Sequence, residues 1–596
     1  MTVLAGLALT LATLSTQPDS AYQPQRVSYR IEARLDEETE TLSGRARLRY
    51  HNRSATTIDT LWLHLHLNAF RPNSAWARRE LETGERRFTD LGPEQHAFER
   101  VSAVVVGGHA VSPVFPGAPD STVMAVPLPA PLLPDSILRV DIDWRARPST
   151  TPRRQGRRGR AYDFAQWYPR IAAFDRGGWQ VQPLMPQGEF YGEFGDYDVT
   201  LDVAEDQVLG ATGVPVDGDP GWEGARAQGA AEPWYRRDVY REGGYAVEGQ
   251  ERLGLLSPRA MPSRKHVRWH ARDVHHFAWS TNPEYIYEGG RWNDIAIHVL
   301  YQPGDTDWQN VAVQRTADAL AFFDEIFGTF AWPQLTNVHR IEGGGTEFPM
   351  MIMDGSASEG LIVHEVAHNY VHGILANNEW KEGWLDEGFA SFLGSWYQES
   401  RGADPSQVWA SSLQTAREIE RLRAAQPIDL PSAAFRDFAT YQWMTYTKPS
   451  IVYRMLRWVM GEEAFRRGLR HYYERNRLSH VSEADLRAAM EWAHGEDLGW
   501  FFQQWIHTTD TLDYRIGEVS TTRGQGGWTT RVEVIRAGDI WMPVDLRVGA
   551  VTQRLTSRER TQVVTITTAA RPSEARLDPA NVLLDLDPAN NGKAVQ

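Results

Sequence analysis

The sequence predicts a multidomain α+β protein with a β-rich N-terminal part, a mixed α/β middle and a C-terminal β-sandwich. Three observations point to this. At 596 residues the chain is too long for one hydrophobic core and implies about three to five domains. Both flanks alternate apolar and polar residues with period two, as half-buried strands do. The middle instead follows helical periodicity around a few short strands. The expected divisions are a leader at 1–20, the β-rich part at 21–289, the mixed part at 290–511 and the sandwich at 512–596.

The start, "MTVLAGLALTLATLSTQPDSA", has an apolar core of about a dozen residues, too short to span a bilayer. It reads as an export signal, although its first residues include no Lys or Arg. The expectation is a periplasmic or secreted protein, with a cytoplasmic one as the alternative.

In the β-rich part "RVSYRIEARL" alternates through Val27, Tyr29, Ile31, Ala33 and Leu35. "TLWLHLHLNAF" alternates through Leu61, Leu63, Leu65 and Leu67, which puts His64 and His66 on the polar side of a strand. The Gly-rich 213–234 reads as a long surface insertion, and His275 and His276 as packing residues. After residue 512, "WTTRVEVIRAG", "MPVDLRVG" and "TQVVTITT" return to alternation.

A net charge of −15 argues against a nucleic-acid partner, whose phosphates would be repelled. The one short basic run, "PRRQGRRGR" at 152–160, reads as a solvated loop. There is no cysteine, so any metal must be held by nitrogen and oxygen.

Chemistry concentrates in "HEVAHNYVHGILANNEWKEGWLDEGF", residues 364–389. The apolar pattern of 358–373 predicts a mostly buried helix ending at a glycine cap, Gly373. On it His364 and His368 lie one turn apart on one face and can converge on one ion, with Glu365 beside them. His372 is not a third ligand, because at 1.5 Å per residue it lies about 12 Å along the axis from His364.

The third ligand must come from another element. Glu379 and Glu382 lie in a polar connection where exposed carboxylates need no special reason. Glu387 begins a helix in which the small Ala390, Ser391 and Gly394 share its face, so that face can approach another helix closely. A carboxylate there is costly unless a cation compensates it. His364, His368 and Glu387 together leave one tetrahedral position open for water, the arrangement of a catalytic zinc.

These residues resemble the aminopeptidase N and leukotriene hydrolase family of gluzincin zinc metallopeptidases. Its signature is HExxH, eighteen residues, then Glu within a segment that "WLDEGFA" (384–390) matches closely. "GGGTEFP" (343–349) stands where the family has its Gly-Ala-Met-Glu-Asn exopeptidase motif, so Gly344, Gly345 and Glu347 are implied to bind substrate. Thr346 and Phe348 replace the usual Met and Asn. "YTKPSIVYRML" (446–456) looks like the family's segment bearing the catalytic tyrosine, which implies Tyr446, with Tyr441 and Tyr453 as nearby competitors and Pro449 where glycine is usual. The motif resemblance covers about residues 290–515.

The resemblance implies a thermolysin-like catalytic domain, one Zn2+ ion, Glu365 as general base and peptide substrates with a free N-terminus. Family members often carry a further helical C-terminal domain over the site; its absence from this sequence implies a more open cleft. The expected function is a zinc aminopeptidase. An endopeptidase or other metallohydrolase on the same fold, or a non-catalytic binding relative, is the alternative. No stable membrane span is expected, and oligomeric state is left open.

Overall fold

The computed structural model describes residues 24–235, 239, 253–257 and 261–595, so the expected export signal lies outside the described residues. The α+β class and the order of the three parts hold. An eight-stranded sheet dominates the N-terminal part, with Arg26–Asp36 at its centre between the antiparallel Thr41–His51 and the parallel Gly195–Ala204. Val27, Tyr29, Ile31, Ala33 and Leu35 are all buried, as their alternation requires.

Three expectations for this part are corrected, each because another segment docks over the residues concerned. His64 ends a strand and His66 opens a 3₁₀ turn, yet both are buried rather than on a polar face. Their rings stack at 4.2 Å with the Trp380 ring edge-on to both. Burial holds both imidazoles neutral, and the acid form of His66 is reached only at a pKa of about 3.

The basic run at 152–160 is solvated only at its end, where Arg158 and Arg160 are exposed. Arg154 and Arg157 are each 4% exposed and are paired with Glu189 and Glu40. The insertion at 213–234 is likewise anchored. Val214–Asp217 joins the large sheet, and buried Trp222 stacks on His298 at 4.3 Å.

The middle part is built on five strands: β1 (Ile286–Trp292), β2 (Ile295–Tyr301), β3 (Gln334–His339), β4 (Glu347–Phe348) and β5 (Met351–Asp354). Their order is β1-β2-β3-β5-β4; β2, β3 and β5 run parallel, and β4 is an antiparallel edge strand. Four helices matter for the site: α1 (Ala312–Ile326), α2 (Glu359–His368), α3 (Glu387–Ser400) and α4 (Lys448–Met460). At the C-terminal end lie a three-stranded and a four-stranded sheet. They are tied to the helices by Arg417 and Arg454, which donate to the carbonyls of Asp585 at 2.8 Å and Asn581 at 3.0 Å.

Helix α2 does not end at a left-handed glycine cap. It widens at 369–374 into a π-helical turn, with Val371 at φ −97°, ψ 15°. Gly373 is closely packed instead, since a β-carbon there would stand 3.2 Å from the Trp332 ring. Nor is the expected close approach of α3 at Gly394, where a β-carbon would meet nothing within 4 Å. It occurs at Gly388, where a β-carbon would collide with the Pro449 ring and stand 2.9 Å from the Thr445 carbonyl. Pro449 itself is accommodated because it sits in the first turn of α4, where no amide donor is needed.

Gly388→Ala is therefore expected to cost about 1–3 kcal/mol through overpacking against α4. Gly394→Ala should be neutral or stabilise by up to about 1 kcal/mol through helix propensity. Urea midpoints of the two variants measure the contrast.

Candidate metal centre

Helix α2 projects His364 and His368 from one face, and the first residue of α3 brings Glu387 to meet them. Glu387 Oε2 lies 3.1 Å from His368 Nε2 and 3.3 Å from His364 Nε2, and the two ring nitrogens are 3.1 Å apart. Bonds of about 2.0–2.2 Å in tetrahedral array would separate ligand atoms by about 3.3–3.6 Å. Three lone pairs converging at these distances repel one another unless a cation or a proton stands among them, so the donor set fits zinc. His368 and Glu387 are almost completely buried, whereas the His364 side chain is 22% exposed, so the centre opens to solvent on the His364 side.

Although burial opposes ionisation, His368 and His364 hold the Glu387 carboxyl below the ordinary carboxylate range. Glu365 behaves in the opposite way. Burial first, then the carboxylates of Glu347, Asp354 and Glu387, push its pKa well above the ordinary value. A dication at the neighbouring cluster would offset that, leaving an ionised carboxylate with high proton affinity.

Gly345 exists to seat this group: any side chain there would collide with the Glu365 carboxylate. Gly344 has φ +75°, a conformation that favours glycine.

Glu347 lies on edge strand β4, buried, and its Oε1 has no hydrogen-bond partner among the described residues. It is near enough for its charge to act on Glu365, His368 and Tyr446. Of the three candidate tyrosines, Tyr446 donates its hydroxyl to Glu387 Oε1 from the π-helical turn Trp443–Thr447. Tyr441 packs beside Phe435 and Phe438. Tyr453 faces the Trp384 carbonyl at 3.4 Å. The structure thus gathers His364, His368, Glu387, Glu365, Glu347 and Tyr446 at one place.

Two features were not visible in the sequence. Buried Arg154 of the N-terminal part lies where the charges of Glu347, Glu379 and Tyr446 act on it. Glu379, expected on an exposed connection, is buried against His372. The only sequence signal for either was unusual local charge or spacing, five arginines in nine residues and a third histidine one turn past His368.

The family model of the peptidase family M1 domain matches residues 351–505. The chain is 27% identical over 228 residues to Aminopeptidase 2, mitochondrial, of Saccharomyces cerevisiae, covering 34% of this chain and 24% of that protein. It is 28% identical over 156 residues to Aminopeptidase N of Streptomyces lividans, covering 25% and 18%. The chain spans about a quarter of the length of the curated relatives it matches. In fold it is similar to the crystal structure of an M1 zinc metallopeptidase from Deinococcus radiodurans, with a TM-score of 0.55 and 16% identity over 81% of this chain and 94% of that one.

Zinc binding should depend on Glu387. Zinc at about a hundred times its Kd is expected to stabilise the wild type by about 2.7 kcal/mol. In Glu387→Gln that increment should be largely lost, as read from thermal unfolding with and without chelator.

Proposed function

We propose that this chain, a member of the aminopeptidase N family through its peptidase family M1 domain, is a zinc aminopeptidase that releases N-terminal residues from peptides. The observation that supports the reading best is the unpartnered carboxylate oxygen of Glu347 on an edge strand beside the three-ligand centre.

One zinc ion held by His364, His368 and Glu387 would supply Lewis acidity and would lower the pKa of a water in the fourth position to about 7. Glu365, next to the ligands but not one of them, accepts the proton of the attacking water and passes it to the leaving amine. Tyr446 moves its hydrogen bond from Glu387 to the oxyanion as negative charge develops there, an interaction stronger in the transition state than in the ground state. Among the described residues no strand pairs with the outer edge of β4, where an extended substrate would add as a further strand. Gly345 leaves room beside that strand for the Glu365 carboxylate.

Glu347 then selects the first peptide bond by pairing with a free α-ammonium. A blocked terminus leaves it buried and unpaired.

Three outcomes follow. A peptide with a free N-terminus should be cleaved about a hundredfold faster than its N-acetylated form, judged by kcat/KM, since losing a buried charge pair costs about 2–5 kcal/mol. Equal rates would favour the endopeptidase reading. Glu365→Gln should lower kcat by about 10²–10⁴ while retaining zinc, and Tyr446→Phe should lower kcat by about 10²–10³ with little change in KM. Full activity of the zinc-loaded Glu365→Gln protein would remove Glu365 from its role.

A further inference from the structure

The π-helical turn after α2 and the segments that follow bring a second set of donors together. His372 lies in that turn, Glu379 opens the short helix Glu379–Glu382, and Asp386 immediately precedes α3. His372 Nδ1 stands 3.0 Å from Glu379 Oε1 and 3.9 Å from Asp386 Oδ2. One donor atom from each of the three lies within 4.8 Å of the others, a set separate from His364, His368 and Glu387. All three side chains are buried, with at most 1% exposure.

Hydrogen bonding sets this cluster apart from an ordinary buried ion pair. Glu379 Oε2 accepts from the Phe190 amide. In contrast, beyond the His372–Glu379 contact itself, Glu379 Oε1, both ring nitrogens of His372 and both oxygens of Asp386 have no hydrogen-bond partner among the described residues. Buried polar atoms are rarely left this way, and here several face one another across one small space.

Charge points in the same direction. Glu379 and Asp386 place two carboxyl groups in the same buried space, and Glu387 follows Asp386 directly in the chain. The nearby His368 is directed through its Nε2 at Glu387 in the first centre. Buried Arg154 is engaged by Glu189. A carboxylate pair in such surroundings needs a local countercharge.

We infer that His372, Glu379 and Asp386 hold a second divalent cation, distinct from the one at His364, His368 and Glu387. One imidazole nitrogen and two carboxylate oxygens suit zinc or a similar first-row ion, with water or a second carboxylate oxygen completing the shell. The ion joins the end of α2 to the residue before Glu387, so it holds the 375–386 connection and, through Asp386, the entry to α3. This rests on donor geometry and not on the peptidase reading.

The test is to strip the full-length protein with chelator, reload it with Zn2+, desalt it and count metal per chain. The wild type should retain two equivalents, and His372→Gln and Glu379→Gln about one each. Glu387→Gln should also retain about one, having lost the other centre. Circular dichroism checks folding; if Glu379→Gln misfolds, His372→Gln and the wild-type count decide.

A wild-type count of one, falling to none in Glu387→Gln, overturns the second site. Two equivalents unchanged in both His372→Gln and Glu379→Gln overturn it as well, because the second ion would then lie elsewhere. A count that falls with His372→Gln but not with Glu387→Gln supports the second site and instead refutes the first centre, so the two failures are distinguishable.

Discussion

The meeting of Glu387 with the paired imidazoles of α2 is the contact on which the rest of the site depends. A carboxylate in a water-poor interior is tolerated only where positive charge compensates it. Here two nitrogens and one oxygen converge from two helices within 3.1–3.3 Å. Positioning them requires α3 to start at a fixed place. Gly388 permits this by letting α4 come against the first turn of α3, and the same approach carries Tyr446 onto the second oxygen of Glu387. A single missing side chain thereby sets the relation between the His364, His368 and Glu387 cluster and Tyr446.

The N-terminal part does more than precede the catalytic part. Its Glu189, Phe190 and His275 lie against the Glu379 and His372 region, and its Arg154 reaches the same buried zone. Trp380, which follows Glu379, closes over His64 and His66. The centre is therefore a buried interface between parts, in which acidic side chains outnumber the guanidinium groups near them. Burial first, and neighbouring carboxylates second, raise the proton affinity of Glu365, Glu379 and Asp386, while Glu387, placed on two imidazoles, is held below the ordinary range despite its burial.

The groups that were legible in the sequence are those fixed by local geometry. His364 and His368 are one helical turn apart whatever surrounds them, and Glu387 is marked by the position of its helix. Tyr446, Glu347 and the glycines were legible through motif resemblance, and the alternation of Val27 to Leu35 gave the central strand directly. What was missed depends on residues distant in the chain. Arg154 looks solvated until Glu189 is placed beside it, and Glu379 looks exposed until Phe190 and His372 enclose it. The Gly373 cap failed for the same reason, since the Trp332 ring packs close to that glycine. At α3 the small residues were only partly read: Ala390 is buried, but Gly394 faces open space and the closest approach falls at Gly388.

Anomalous diffraction at the zinc edge, from crystals of the zinc-loaded protein, tests the convergence itself. The account predicts a peak about 2.0–2.2 Å from His364 Nε2, His368 Nε2 and a Glu387 oxygen. Zinc-loaded crystals with no peak at that position, or with the Glu387 carboxylate turned away from the ion, would contradict it.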